Sequence, residues 1–109
     1  MVDEAVVKAI QVYLKAVHTQ GIPVKCGVVF GSYAVGTSHK WSDIDLLVVS
    51  SKFDTDRKRE DIDKLWHIAA RTDSRIEPIA VGERQYEVDD SSAIIEIARR
   101  EGQIIPLAE

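Results

Sequence analysis

Apolar positions along this 109-residue chain fall first at a helical spacing and then in short strand-length runs. From Asp3 to about Gln20 they recur at Val6, Val7, Ile10, Tyr13, Leu14 and Val17, one face of a helix. Asp3 can cap its start, Gly21 suits the left-handed stop, and Pro23 cannot continue it. Val24–Phe30 is a β-branched run closed by Gly31, and predicts a strand. Gly36 and Ser38 leave room for at most a turn or two of helix after Ser32. Ile44, Leu46, Leu47, Val48 and Val49 then crowd a second strand that is apolar on both faces, so it belongs in the middle of a sheet.

Asp54 and Asp56 offer caps for a helix running to about Arg71, with Ile62, Leu65, Trp66, Ala69 and Ala70 on one side. Leu65 and Trp66 are its expected core anchors. Arg75–Val81 predicts a third strand, and Pro78 within it argues for the edge of the sheet, because proline cannot donate to a ladder. After Gly82 the chain turns through Tyr86 to a capping cluster, Asp89-Asp90-Ser91-Ser92. A last helix follows, with Ile94, Ile95, Ile97 and Ala98 apolar, Arg99 and Arg100 set against its C-terminal dipole, and Gly102 at its end. Gln103–Leu107 is a final extended segment or a docking tail. The pattern predicts one α/β (α+β) domain over residues 1–109. Its sheet is small, mixed and three-stranded, with one extra short strand if the tail is extended, and about four helices pack on it.

Composition narrows the function classes. The net charge is −4, from 18 acids against 14 bases, the reverse of what general nucleic-acid binding needs. The one basic run, Arg57-Lys58-Arg59, is flanked by Asp54, Asp56, Glu60 and Asp61 and reads as a solvated helix start. No apolar run approaches the roughly 20 residues that span a bilayer. The acidic N-terminus, Met1-Val2-Asp3-Glu4, does not read as a secretory signal, and the lone Cys26 cannot form an internal disulfide. A cytoplasmic protein without a membrane partner is expected. His18, His39 and His67 have no zinc spacing.

The chemistry concentrates between the first two strands. Gly31-Ser32 closes one, Asp43-Ile44-Asp45 opens the next, and ten residues, Tyr33 to Ser42, lie between the pairs. Strand side chains alternate, so Asp43 and Asp45 share a face. Two neighbouring carboxylates repel unless a cation lies between them, and Mg²⁺ prefers one or two carboxylates plus substrate phosphates. Glycine after a strand lets a phosphate approach the backbone, where the following amides and the Ser32 hydroxyl can bind its oxygens. Either pair alone is weak: Gly-Ser is usually a turn, and Asp-x-Asp can be a pair of solvated caps. Together they suit a metal–triphosphate. Ser42 caps or orients the Asp-x-Asp turn. His39 and Lys40 lie in the same loop, with no role that the spacing assigns.

Gly-Ser, ten residues, then Asp-x-Asp on a strand–turn–strand resembles the signature of the DNA polymerase β-like nucleotidyltransferase superfamily. The small size and preceding helix resemble its minimal nucleotidyltransferase (MNT) branch. The resemblance implies the polymerase β-like nucleotidyltransferase fold. It also implies an enzyme in which Gly31, Ser32 and Ser42 contact the nucleotide, while Asp43, Asp45 and a third acid hold two Mg²⁺ ions. Glu77 is the best candidate for that third acid, since it stands in an otherwise apolar strand; the plain alternative is a solvent-facing residue on an edge strand. In two-metal catalysis the ions sit roughly 3.5–4 Å apart and stabilise the entering and leaving oxygens. The chain departs from the family at Val35, a position often basic, and so loses a phosphate contact.

The expected activity is Mg²⁺-dependent transfer of a nucleoside monophosphate, AMP from ATP, to a hydroxyl. The chain ends before an acceptor-recognising helical domain could form. The resemblance therefore implies a separate helical HEPN-type partner in a toxin–antitoxin pair, with this chain as the antitoxin. The alternative is a weak or inactive module that binds nucleotide or protein and neutralises its partner by binding alone. A homodimer through the apolar tail Ile104, Ile105 and Leu107 is a further expectation.

Overall fold

The computed structural model describes residues 2–36 and 42–107. In chain order the elements are α1 (Glu4–Thr19), β1 (Cys26–Phe30), α2 (Ser32–Val35), β2 (Ile44–Ser50), α3 (Lys52–Thr55), α4 (Arg59–Thr72), β3 (Ile76–Gly82), α5 (Glu83–Val88), α6 (Ala93–Glu101) and β4 (Gln103–Pro106). The sheet is mixed, with strand order β3-β2-β1-β4. Strand β1 is antiparallel to both β2 and β4, and β2 is parallel to β3. A parallel pair needs a crossover rather than a hairpin, and α3 with α4 supplies it.

The expected α+β fold with a mixed sheet is observed. The tail is the extra strand, β4, and two short helices, α3 and α5, raise the helix number to six among the described residues. Ile105 is buried and Leu107 packs against the same core, so the apolar tail completes the chain's own sheet and leaves Ile104 exposed.

Alternation along the strands sorts the core into two layers. Ile44, Leu46 and Val48 of β2 point into the larger layer, with Val6, Ile10, Tyr13, Leu14 and Val17 of α1 and Leu65, Ile68 and Ala69 of α4. Tyr13 donates from its hydroxyl to the Leu65 carbonyl at 2.9 Å, so its buried polar tip is satisfied where the two helices meet. Leu47 and Val49 point the other way, with Cys26, Val28 and Phe30 of β1, Val81 of β3 and Ile95 and Ala98 of α6. Both faces of β2 are thus covered, as its composition requires.

Strand β3 is an edge strand, where Pro78 costs no ladder bond. The same edge is partly closed by Arg57, whose Nη1 donates to the Ala80 carbonyl at 3.5 Å.

Two local expectations are corrected. Trp66 is not a core anchor; it is 45% exposed, and Ile62 and Ala70 are exposed as well. Helix α4 instead buries Asp61, Leu65, Ile68 and Ala69. Asp61, 4% exposed, lies on that inward face and meets Lys52 Nζ at 3.1 Å. Nor does Asp54 or Asp56 cap α4, whose N-cap is Lys58 without a side-chain bond. Asp54 serves α5, accepting from the amides of Arg84 at 2.9 Å and Gln85 at 3.2 Å. No helix among the described residues is long and apolar enough to cross a membrane.

Candidate active site

Register places the acids. Phe30 pairs with Asp45 across β1 and β2, and Asp45 pairs with Glu77 across β2 and β3. Asp45 has the parity of Leu47 and Val49, and Glu77 that of Ile79 and Val81, so both lie on the α6 side of the sheet. Asp43 lies just before β2, exposed, while Asp45 and Glu77 are half-buried. The three sit where β1 ends and β2 and β3 begin.

Electrostatics shows how close they are. Burial, and then the Asp43 charge, push the Asp45 carboxyl above the usual carboxylate range. Glu77 is pushed up by a hydrogen bond to Asp43, by desolvation, and by the charges of Asp43 and Asp45. Asp45 and Glu77 are thus held in a negative surrounding that favours positive charge. Among the described residues no group of three Asp, Glu, His or Cys side chains is gathered closely enough to hold a metal ion by itself. The donor set fits a divalent cation that takes a few carboxylates and fills its shell with water and substrate phosphates.

Gly31 closes the site from the β1 side. Its φ of 76° and ψ of −151° lie in a region open to glycine almost alone. A Cβ there would overlap Asp45 Oδ2. The missing side chain is what lets the turn after β1 lie directly against the acid. The next residue, Ser32, is half-buried and begins α2. That helix is one turn long, too short for a useful macrodipole.

Gly31, Ser32, Asp43, Asp45 and Glu77 are therefore brought to one end of the sheet, and Ser42, half-buried, directly precedes the acids. His39 and Lys40, and the side chain of Val35, lie outside the described residues. Missed from the sequence was Arg75, whose carbonyl accepts from the Ile44 amide at 2.8 Å, between the two aspartates. Its nearness in sequence to Glu77 was the available signal. A separate depression of about 270 Å³ on the outer face of α1 is lined by Lys8, Gln11, Val12 and Lys15, and has no carboxylate.

A Gly-Ser turn and an Asp-x-Asp pair thus lie on neighbouring strands, with a third acid on the next. Residues 11–105 match the family described as nucleotidyltransferase domain, and the chain belongs to it. Among curated proteins none matches. Solved structures with a similar fold include a putative nucleotidyltransferase from Sulfolobus solfataricus, 18% identical with a TM-score of 0.60, covering 90% of this chain and 77% of that one. A toxin-antitoxin with AMP-PNP is 20% identical with a TM-score of 0.60, covering 91% and 74%. The toxin-antitoxin MntA-HpeT, in a mutant with two aspartates two positions apart changed to glutamate, is 18% identical with a TM-score of 0.58, covering 91% and 74%.

Proposed function

We propose that the chain transfers a nucleoside monophosphate, AMP from ATP, to a hydroxyl on a partner protein, acting as the MNT antitoxin of a HEPN-type toxin in the cytoplasm. The observation that carries this reading is the convergence of Asp43, Asp45 and Glu77 beside Gly31 on one sheet end. Asp43 and Asp45, with Glu77, would hold Mg²⁺, two ions in the full site, which supplies neutralisation of phosphate charge and activation of the attacking hydroxyl.

The chain's own groups would do the rest. Gly31 leaves the backbone open to the triphosphate, the Ser32 hydroxyl and adjoining amides orient its oxygens, and Ser42 steadies the turn that carries the acids. Glu77 and Asp43, at the same end of the sheet, would receive the proton of the acceptor hydroxyl. Two similar folds are toxin-antitoxins, one solved with an ATP analogue and one altered at an Asp-x-Asp spacing, which supports both the nucleotide and the partner class.

The test is transfer of label from α-³²P ATP to the protein encoded beside this one, with and without Mg²⁺. Transfer should fall by roughly 10³-fold in Asp43→Ala plus Asp45→Ala, as loss of transition-state charge stabilisation requires. Undiminished transfer in that variant would sink the reading. Val35, at a position often basic in the family, favours a second reading in which the chain neutralises its partner by binding alone. Neutralisation that survives loss of both aspartates distinguishes it.

A further inference from the structure

Arg75 joins three parts of the candidate site. Its Nε donates to Asp73 Oδ1 at 3.0 Å and its Nη2 to Asp73 Oδ2 at 2.6 Å, a forked pair that fixes the guanidinium plane. Its Nη1 donates to the Tyr33 hydroxyl at 3.3 Å, and the guanidinium carbon stands 5.9 Å from the centre of the Tyr33 ring. Tyr33 is buried and is the second residue of α2, directly after Ser32. The Arg75 carbonyl accepts from Ile44, between Asp43 and Asp45, and Glu77 lies two residues on.

The Gly31–Ser32 turn and the acids belong to different strands, and ten residues, Tyr33 to Ser42, separate them in sequence. Something must set one against the other to within a fraction of an ångström for a nucleotide to meet both. From this geometry we infer that Arg75 is a positioning residue: with Asp73 and the Tyr33 hydroxyl it latches α2, and hence the Gly31–Ser32 turn, in register with Asp43, Asp45 and Glu77. The inference rests on the reading above for its purpose, and on hydrogen bonds alone for its existence. A structural brace confined to the Asp73–Arg75 turn is the competing account, and Tyr33 separates the two. Tyr33→Phe keeps the ring in the core and the Asp73–Arg75 pair intact, but removes the hydroxyl through which α2 meets Arg75.

The experiment uses Tyr33→Phe, Arg75→Gln and the double variant, with two readouts. In the free protein, amide hydrogen exchange at Ala34, bonded to the Gly31 carbonyl at 3.1 Å, should quicken in both single variants while amides of β1 and β2 stay unchanged. By titration calorimetry with Mg²⁺ and a non-transferable ATP analogue, each single variant should bind about five-fold more weakly, and the double variant no more weakly than either, the mark of a shared interaction. Exchange at Ala34 unchanged by Tyr33→Phe would overturn the latch. Faster exchange with unaltered nucleotide affinity would overturn its role in positioning. A wild-type chain that binds no nucleotide overturns the proposed function instead, and the exchange result then decides the latch by itself.

Discussion

Two glycine–aspartate contacts close the two ends of the β2–β3 pair, and they put a carboxylate to opposite uses. At one end a Cβ on Gly31 would overlap Asp45 Oδ2; at the other a Cβ on Gly82 would overlap Asp54 Oδ1. Asp54 accepts hydrogen bonds from the first-turn amides of α5, which Gly82 has no side chain to cap, and the Arg84 amide foremost holds its carboxyl below the usual range. No hydrogen bond to Asp45 is seen among the described residues, and burial and the charge of Asp43 hold it above that range. The Asp54 end is stabilised by its carboxylate. At the Asp45 end burial and a like charge oppose the ionised carboxylate instead.

The sharpest way to break the comparison is to give each glycine a methyl group. Gly31→Ala forces a side chain into φ 76° and displaces the Asp45 carboxylate. The strain costs about 1–3 kcal/mol, and nucleotidyl transfer should fall by roughly 10²-fold or more, read as label transfer well below the melting temperature. Gly82→Ala has an ordinary φ of −66°, and its methyl group meets Asp54 first, at the carboxylate and the Cα. It should lower the Tm by roughly 4–8 °C, as should Asp54→Ala by a smaller margin, while transfer by the folded protein is unchanged. Equal loss of activity in the two alanine variants would show that the ends do not differ in kind.

Why one end was legible in the sequence and the other was not follows from the same chemistry. Gly31, Ser32, Asp43 and Asp45 announce themselves through fixed spacing between two apolar strands, and alternation then puts Asp45 and Glu77 on one face. Pro78 marked the edge strand because its missing amide excludes the sheet interior. Asp54 reads from sequence as a cap for the helix that follows it, whereas its partner is α5, thirty residues on, brought near by the parallel crossover. A cap in trans has no local signature, and α5 without a capping side chain of its own reads as a turn. Helix α4 failed differently. Counting apolar residues alone set Ile62 and Trp66 inward, but the inward face carries Asp61, paired with the half-buried Lys52, together with Ile68, and leaves Trp66 out. A charge that is buried because it is paired is invisible to a hydrophobic pattern.

The smallest effect gives the most discriminating test, because its sign differs between the ends. Asp45 has a folded pKa above its unfolded value, so its contribution to stability is fully present below the ordinary carboxylate range and is lost as pH rises through the raised value. Near pH 7 the ionised Asp45 therefore opposes folding, and Asp45→Asn should raise the Tm of the metal-free chain by roughly 2 °C, a gain that shrinks to nothing on acidification. Asp54 is depressed instead; its stabilisation is present above the ordinary value and disappears as pH falls through the lowered one. Asp54→Asn should accordingly lower the Tm at pH 7 and converge with the parent in acid. Thermal melts of both variants between pH 3 and pH 8 check this directly. Adding Mg²⁺ and ATP should then stabilise the parent but not Asp45→Asn, since a ligand that binds only the folded state raises Tm in proportion to its affinity. A Tm gain in Asp45→Asn without metal, reversed in rank once Mg²⁺ and ATP are present, is the signature of a carboxylate kept for its ligand at the expense of the fold.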